Sequence, residues 1–201
     1  MYIGTDESGK GDYFGYLVAA AVITDKNKNR LLRELKVRDS KKLTEKQIFF
    51  LSDKIEKLCK HNIVKISPEK YNNLYKKMDN LNKILAWCHA RVIENLLSKN
   101  KNVECVISDQ FGDKKYLKNA LMKRGRKIKL IQKTKAESDL AVAAASVLAR
   151  KHFILTLKHL SKKAGMKLPK GATHVKNTAK KLKRKDLRKF AKVHFKITEQ
   201  L

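Results

Sequence analysis

The chain has 201 residues, enough for one domain with a substantial core, and 48 Lys and Arg against 19 Asp and Glu give it a formal charge of +29. A field of that sign selects a polyanion as partner, nucleic acid ahead of acidic membrane, because it steers anions in and counterion release drives their binding. The longest uninterrupted apolar runs, Tyr16 to Ile23 and Leu140 to Leu148, fall short of a bilayer span. Cys59, Cys88 and Cys105 are scattered and never in a CxxC arrangement, and the six histidines form no HExxH, so the pattern argues for reduced thiols and against a zinc site. Met1 directly before the first apolar stretch reads as a chain without a leader, expected in the cytoplasm as a monomer with no obligate protein partner.

In chain order, Tyr2-Ile3-Gly4-Thr5 reads as the start of a buried strand that ends in adjacent acids, Asp6 and Glu7. Successive strand residues face opposite ways, so both acids reach one point only if the strand ends or kinks between them, a freedom that Gly9 and Gly11 supply. Leu17 to Ile23 is a second strand. Leu31, Leu32 and Leu35 have helical spacing within Asn27 to Lys36, and Asp39-Ser40-Lys41-Lys42-Leu43 breaks it. Thr44 with Gln47 forms a capping box for a helix to about His61, with Ile48, Leu51, Ile55 and Leu58 on its buried stripe. Asn62 to Ile66 is a strand, Ser67-Pro68 caps a helix through Met78, and Asp79-Asn80 opens another with one apolar face to about Lys99. Val103 to Ser108 reads as a central strand with Asp109 at its end, Asp113 to Arg124 as a helix closed by Gly125, and Ile128 to Ile131 as the last strand.

Ser138 is the expected N-cap of a long helix whose small residues, from Ala141 to Ala149, suit close approach to a sheet. Beyond Gly165 and Pro169-Lys170-Gly171, Thr173 to Gln200 reads as two short helices, with Ala191 to Phe195 in an amphipathic end helix. The alternation of strands and helices predicts an α/β fold, a mixed sheet flanked by helices. Residues 1–165 form one domain in this reading, and 166–201 a basic helical extension packed on it.

In such folds ligands gather at strand ends. Acids stand at such places repeatedly: Asp6 with Glu7, Asp109, and Glu137 within Lys135-Ala136-Glu137-Ser138. Each alone is ordinary turn chemistry. Together, in so basic a chain, they suggest a site for a hard divalent ion, Mg²⁺ or Mn²⁺, that cancels their repulsion and presents a phosphodiester to attack. Gly9-Lys10-Gly11 can set backbone amides and one ammonium against a phosphate. Asp139, two residues on, reads by itself as a first-turn acid favoured by the helix dipole. Trp87 reads as a core residue, and each histidine as a surface or partly buried residue.

The segment Tyr2 to Phe14, YIGTDESGKGDYF, resembles the first motif of the type 2 ribonuclease H family, and its GKGDYFG form resembles ribonuclease HIII more than ribonuclease HII. The resemblance continues through Asp39-Ser40-Lys41-Lys42-Leu43, Leu85-Ala86-Trp87-Cys88-His89-Ala90, Lys135-Ala136-Glu137-Ser138, Leu168-Pro169-Lys170-Gly171-Ala172 and Ala191-Lys192-Val193-His194-Phe195-Lys196. It implies a ribonuclease H-like fold and metal-assisted hydrolysis of the RNA strand of RNA–DNA hybrids, leaving 5′-phosphate and 3′-hydroxyl ends. Asp6, Glu7, Asp109 and Glu137 would be the catalytic acids and metal ligands, Gly9, Lys10 and Gly11 would sense the ribose 2′-hydroxyl, and Ser40, Lys41 and Lys42 would grip phosphates. Three departures from the family pattern stand out: Tyr16 replaces a proline, one residue fewer separates Glu137 from the AAAS run, which leaves Asp139 as second choice for the fourth acid, and in this reading the substrate-binding domain usual before the type HIII core is expected to be lacking. The other readings are a ribonuclease HII-like enzyme cutting at single embedded ribonucleotides, a non-catalytic basic protein that coats nucleic acid, and, more distantly, a junction resolvase.

Overall fold

The computed structural model of the chain describes residues 1–182 and 186–201. The uncharged run Leu17–Thr24 forms β2, and every residue in it is buried, so both of its faces are covered. On one side β2 pairs antiparallel with β1 (Tyr2–Ser8), and on the other with β3 (His61–Ile66), reached through α1 (Lys26–Glu34) and α2 (Glu45–Leu58). After α3 (Pro68–Met78) and α4 (Leu81–Leu97), β4 (Cys105–Asp109) joins the far side of β1 in parallel. Beyond α5 (Lys114–Ala120), β5 (Lys129–Lys133) adds in parallel to β4. The result is a mixed sheet of order β3-β2-β1-β4-β5.

Alternation along β2 divides the core. Leu17, Ala19, Ala21 and Ile23 pack with Ile84, Leu85 and Cys88 of α4, whereas Val18, Ala20 and Val22 pack with the alanines of α6 (Leu140–Ala164). α6 has the length and apolarity of a membrane-crossing helix, but 67% of its most apolar window is buried inside this fold. The small residues bring α6 so close to the sheet that a Cβ built on Gly4 would lie 2.3 Å from backbone atoms of Ala141 and Val142. Residues 168–179 and 187–191 join the same cluster through Leu168, Val175, Ala179 of α7 (Lys176–Lys181), and Leu187, Phe190 and Ala191 at α8 (Leu187–Phe190).

The capping signals read from Thr44, Ser67 and Asn80 all form, the first as a full capping box with Gln47. Other expectations are corrected. β1 runs unbroken through Glu7 to Ser8, still paired with β2, so the strand neither ends nor kinks between the two acids. α2 stops at Leu58, and His61 opens β3 instead. α5 ends at Ala120 rather than Arg124, because the buried Glu94 carboxylate takes the amides of Arg124 and Gly125, each at 2.8 Å, and holds that stretch as a turn. The long helix is capped by Asp139, whose Oδ1 accepts from Ala141 and Val142, while the Ser138 hydroxyl donates to the Lys135 carbonyl. Ala191 to Phe195 is no end helix, for Ala191 instead bridges Phe14. Residues 183–185 of the basic C-terminal region lie outside the described residues.

Gly4→Ala forces a methyl into backbone that α6 cannot vacate, and the expected loss is about 3 kcal/mol. Urea unfolding measures it, and a loss below about 0.5 kcal/mol, ordinary for a surface change, would show that α6 does not approach β1 this closely.

Candidate active site

The parallel register sets Thr5 opposite Ser108, and one residue further each strand carries an acid, Asp6 and Asp109. With Glu7 they line one cleft of about 320 Å³ at the end of the sheet. Its wall includes the Gly9–Lys10–Gly11 turn with Asp12, Ser40 and Lys41, and three charged groups from distant parts of the chain: Glu45, Arg150 and Lys170.

Asp6 and Glu7 are anchored differently because they leave opposite faces of β1. Glu7 points to the α4 side, where His89 Nε2 lies 3.0 Å from Oε2 and Lys10 Nζ 3.0 Å from Oε1. His89, fully buried, is held in turn by the Thr5 hydroxyl 2.9 Å from Nδ1. Burial favours the neutral acid, but His89 and then Lys10 outweigh it and lower Glu7 to about 2. Asp6 faces the α6 side with no such partner. Its Oδ1 accepts the Glu7 amide at 2.8 Å, and burial, then the charges of Glu7 and Asp109, push its carboxyl well above the ordinary range. Asp109 Oδ1 reaches the amide of Ala136 at 3.2 Å and so fastens the turn that carries Glu137.

Glu137 does not line this cleft. It borders a neighbouring cavity with Arg38, Asp39, Lys42 and Lys135, and Lys42 belongs to that cavity as well. Asp139 is fully engaged as a helix cap, with its Oδ2 taken by the Tyr2 hydroxyl at 3.1 Å. Ser40 donates its amide to the Ser146 hydroxyl at 2.8 Å, which fixes the Asp39–Lys42 turn against α6.

The turn itself has a strained and an open half. Gly9 has φ +92°, and a Cβ there would lie 2.1 Å from the Tyr16 carbonyl. Gly11 has neither requirement: nothing lies within 4 Å of where its Cβ would stand. The fold does not need glycine at Gly11, whereas a ligand backbone approaching the turn would.

Oxygen donors of this kind suit a hard divalent ion, and Asp6 is the observation that tests the fit. A half-buried carboxylate pressed against two others, and eased only in part by the Glu7 amide and the charge of Lys41, is a place where a divalent cation is favoured. Among the described residues no three acidic, imidazole or thiol groups close on one point, so water and substrate phosphate oxygens must complete the shell, as Mg²⁺ and Mn²⁺ allow.

Sequence reasoning passed over His89, Asp12, Arg150 and Lys170 as site groups. Arg150 lies 3.9 Å from Asp12 and over the Phe153 ring, and Lys170 pairs with Glu45, itself also paired with Lys158. The one available signal was that Asp12, His89 and Lys170 lie in segments already matched as motifs, whereas Arg150 does not.

Comparison with known proteins finds relatives over almost the whole chain. The family model described as Ribonuclease HII matches residues 3–198. Ribonuclease HIII of Protochlamydia amoebophila is 44% identical over 205 residues, covering 100% of this chain and 68% of that protein. Ribonuclease HIII of Chlamydia pneumoniae is 44% identical over 206 residues, covering 99% and 69%. The crystal structure of Bst-RNase HIII in complex with Mn²⁺ superposes with a TM-score of 0.90 at 30% identity, covering 99% of this chain and 68% of that one. Aquifex aeolicus RNase H3 gives 0.80 at 34% identity, covering 96% and 71%.

The opposed shifts of Asp6 and Glu7 predict how metal uptake depends on pH. Glu7, held below its unfolded value of 4.5, contributes stability that is full above 4.5 and lost as pH falls towards about 2. Asp6, raised above 3.8, does the reverse: the metal-free fold weakens as pH climbs through its raised value. Uptake of a divalent ion at Asp6, tried with Mn²⁺, is therefore expected to expel a proton wherever the pH lies below the raised value of Asp6, and to tighten with rising pH. Calorimetry in buffers of different ionisation heat reads that proton, and Asp6→Asn removes it. Equal heats in all buffers for the native chain would contradict the assignment.

Proposed function

The chain belongs to the ribonuclease HII family, within it to ribonuclease HIII, and on that premise we propose how its own residues perform the work of an endoribonuclease on RNA–DNA hybrids. The observation that carries the reading is the cleft: Asp6, Glu7 and Asp109 on its floor, with the glycine turn, Lys10, Lys41, Arg150 and Lys170 around them. A protein that only coated nucleic acid would gain nothing from acids placed where the phosphate must come.

Asp6 and Asp109 would hold the divalent metal with Glu7 beside them, and Glu137, in the neighbouring cavity on a turn that the Asp109 carboxylate fastens, would be the fourth acid. The metal supplies charge stabilisation and a nucleophilic water for attack on the phosphodiester, leaving 5′-phosphate and 3′-hydroxyl ends. The neighbour with Mn²⁺ supports a divalent ion, and the oxygen donors suit Mg²⁺ equally. Glu7 keeps its charge because His89 and Lys10 hold both of its oxygens. Lys41, Arg150 and Lys170 receive the flanking phosphates, with Ser40 and Lys42 steadying the turn behind Lys41. The Gly9–Gly11 turn presents its backbone to the RNA strand, where the 2′-hydroxyl separates ribose from deoxyribose.

A labelled long hybrid and a DNA duplex with one ribonucleotide, each in Mg²⁺, Mn²⁺ and chelator, test this. We expect metal-dependent cutting of the hybrid, weak cutting of the single site, and a loss on the order of a thousandfold in Asp109→Asn. Gly11→Ala should lower hybrid cleavage at least about tenfold with an unchanged melting temperature, since only the ligand meets that methyl. Tight binding with no cutting in any metal would return the chain to the nucleic-acid coats, and equal cutting of both substrates would favour the ribonuclease HII mode.

The fourth acid has its own test. Glu137→Gln is expected to lose turnover and keep its stability, whereas Asp139→Asn loses about 1 kcal/mol of stability as a weakened cap and keeps most of its turnover. The opposite pattern transfers the role to Asp139.

A further inference from the structure

The loop of residues 9–16 between β1 and β2 has an inner half, the glycine turn, and an outer half that hangs from the C-terminal segment. The Gly171 amide donates to Asp12 Oδ1 at 2.7 Å, and the Tyr13 amide to the Gly171 carbonyl at 2.9 Å. The Lys192 amide donates to the Tyr13 carbonyl at 2.9 Å, and the Gly15 amide to the Phe190 carbonyl at 3.0 Å. Lys192 lies under this loop with no exposed surface, and its ammonium donates to the Gly15 carbonyl at 2.9 Å.

That ammonium is unusual. Among the described residues no carboxylate forms an ion pair with it. Its other neighbour is the Tyr71 ring, 5.9 Å from Nζ, and burial, opposed only by the charge of Asp12, pushes it down to about 7. Sealing an ammonium away from water disfavours folding, and an apolar side chain of similar length would fill the space without that cost. What only the ammonium supplies is a grip on the Gly15 carbonyl. From Gly15 the chain passes directly to Tyr16, whose carbonyl lies against Gly9, and the Phe153 ring lies close under both Gly9 and Gly15. The held carbonyl is therefore one residue from the atom on which the glycine turn rests.

We propose that Lys192 is a positioning residue for substrate selection: through Gly15 and Tyr16 it sets the placement of the Gly9–Gly11 turn against the RNA strand. The inference rests on the reading of that turn as the RNA-facing element. It makes the C-terminal segment part of the selectivity apparatus although none of its residues from 186 to 201 lines the cleft.

The test is done in an Asp109→Asn background, which leaves substrates whole. Fluorescence anisotropy compares a hybrid with a DNA duplex of the same sequence for native Lys192 and Lys192→Met, with melting curves alongside. Lys192→Met is expected to keep cooperative unfolding and its affinity for DNA while losing about tenfold in affinity for the hybrid, so that the hybrid-over-DNA ratio falls. Should Lys192→Met not fold, Lys192→Leu, which likewise removes the donor to the Gly15 carbonyl, takes its place with the same expected direction. Asn72→Ala, which unties the segment at Arg188, Ala191 and Val193 without touching Lys192, should lower the melting temperature and leave the ratio alone. An unchanged ratio in the Lys192 variant overturns the proposal, and so does a ratio that falls equally in Asn72→Ala. A native chain with no preference for the hybrid overturns the reading of the turn, and this inference with it.

Discussion

The parallel register of β1 on β4 is the constraint on which the site depends. Thr5 opposite Ser108 brings Asp6 and Asp109 to the same level at the sheet's end. A slip of one residue would turn every β4 side chain to the other face and carry Asp109 away from Asp6. The register is enforced on both sides. Ile3 and Val106 bury together against the α4 layer, while Ile107 packs with Val142 and Ala136 on the α6 side, where Gly4 admits the helix backbone. The hydrophobic core thus overcomes the repulsion between carboxylates that the strands bring together, and the cleft keeps the resulting electrostatic tension for a cation to relieve.

The unbroken course of β1 through Glu7 divides labour between adjacent acids. Because they leave opposite faces of the strand, one is drawn into a buried chain of Thr5, His89 and Glu7, and the other remains at the open floor. Glu7 is thereby a fixed charge, ionised and oriented before anything binds, and Asp6 a responsive one. A kink would have set both carboxylates in the same surroundings, with nothing to separate their protonation. The strand's ordinary alternation, which made the pair look incompatible with a single site, is what lets the pair serve it.

Most of the fold was legible because local signals agreed with tertiary demand. The capping box at Thr44, Pro68 after Ser67, and the all-apolar β2 each specify one local structure that the sheet then accepts. Errors fell where a distant side chain replaced a local partner. Glu94, about thirty residues away in sequence, takes the amides that would have continued α5. Asp139 displaced Ser138 as cap because the chain first makes a short turn at Ala136–Ser138, which the Asp109 carboxylate helps to hold. At the site, Asp6, Glu7 and Asp109 could be read from the strand ends that carry them. Arg150 could not, since an arginine on a long helix in so basic a chain carries no local mark of the Asp12 it will meet.

The same logic separates the charge that matters from the charge that surrounds it. A value of +29 draws in any polyanion and by itself chooses no place on it. The cations around the cleft include three held at carboxylates, Lys10 at Glu7, Arg150 at Asp12 and Lys170 at Glu45, so Asp12 and Glu45 as well as Glu7 position cations rather than merely dilute them. Asp12 does this while accepting the Gly171 amide, which ties cation placement to the loop that the C-terminal segment carries. Ala191 to Phe195 had looked amphipathic enough for a helix, but the pull of an adjacent loop with unpaired backbone groups is stronger than the preference of a five-residue stretch. Ala191 is extended and the residues after it turn, because the loop beside the active site takes the backbone hydrogen bonds of Phe190 and Lys192 on either side of it.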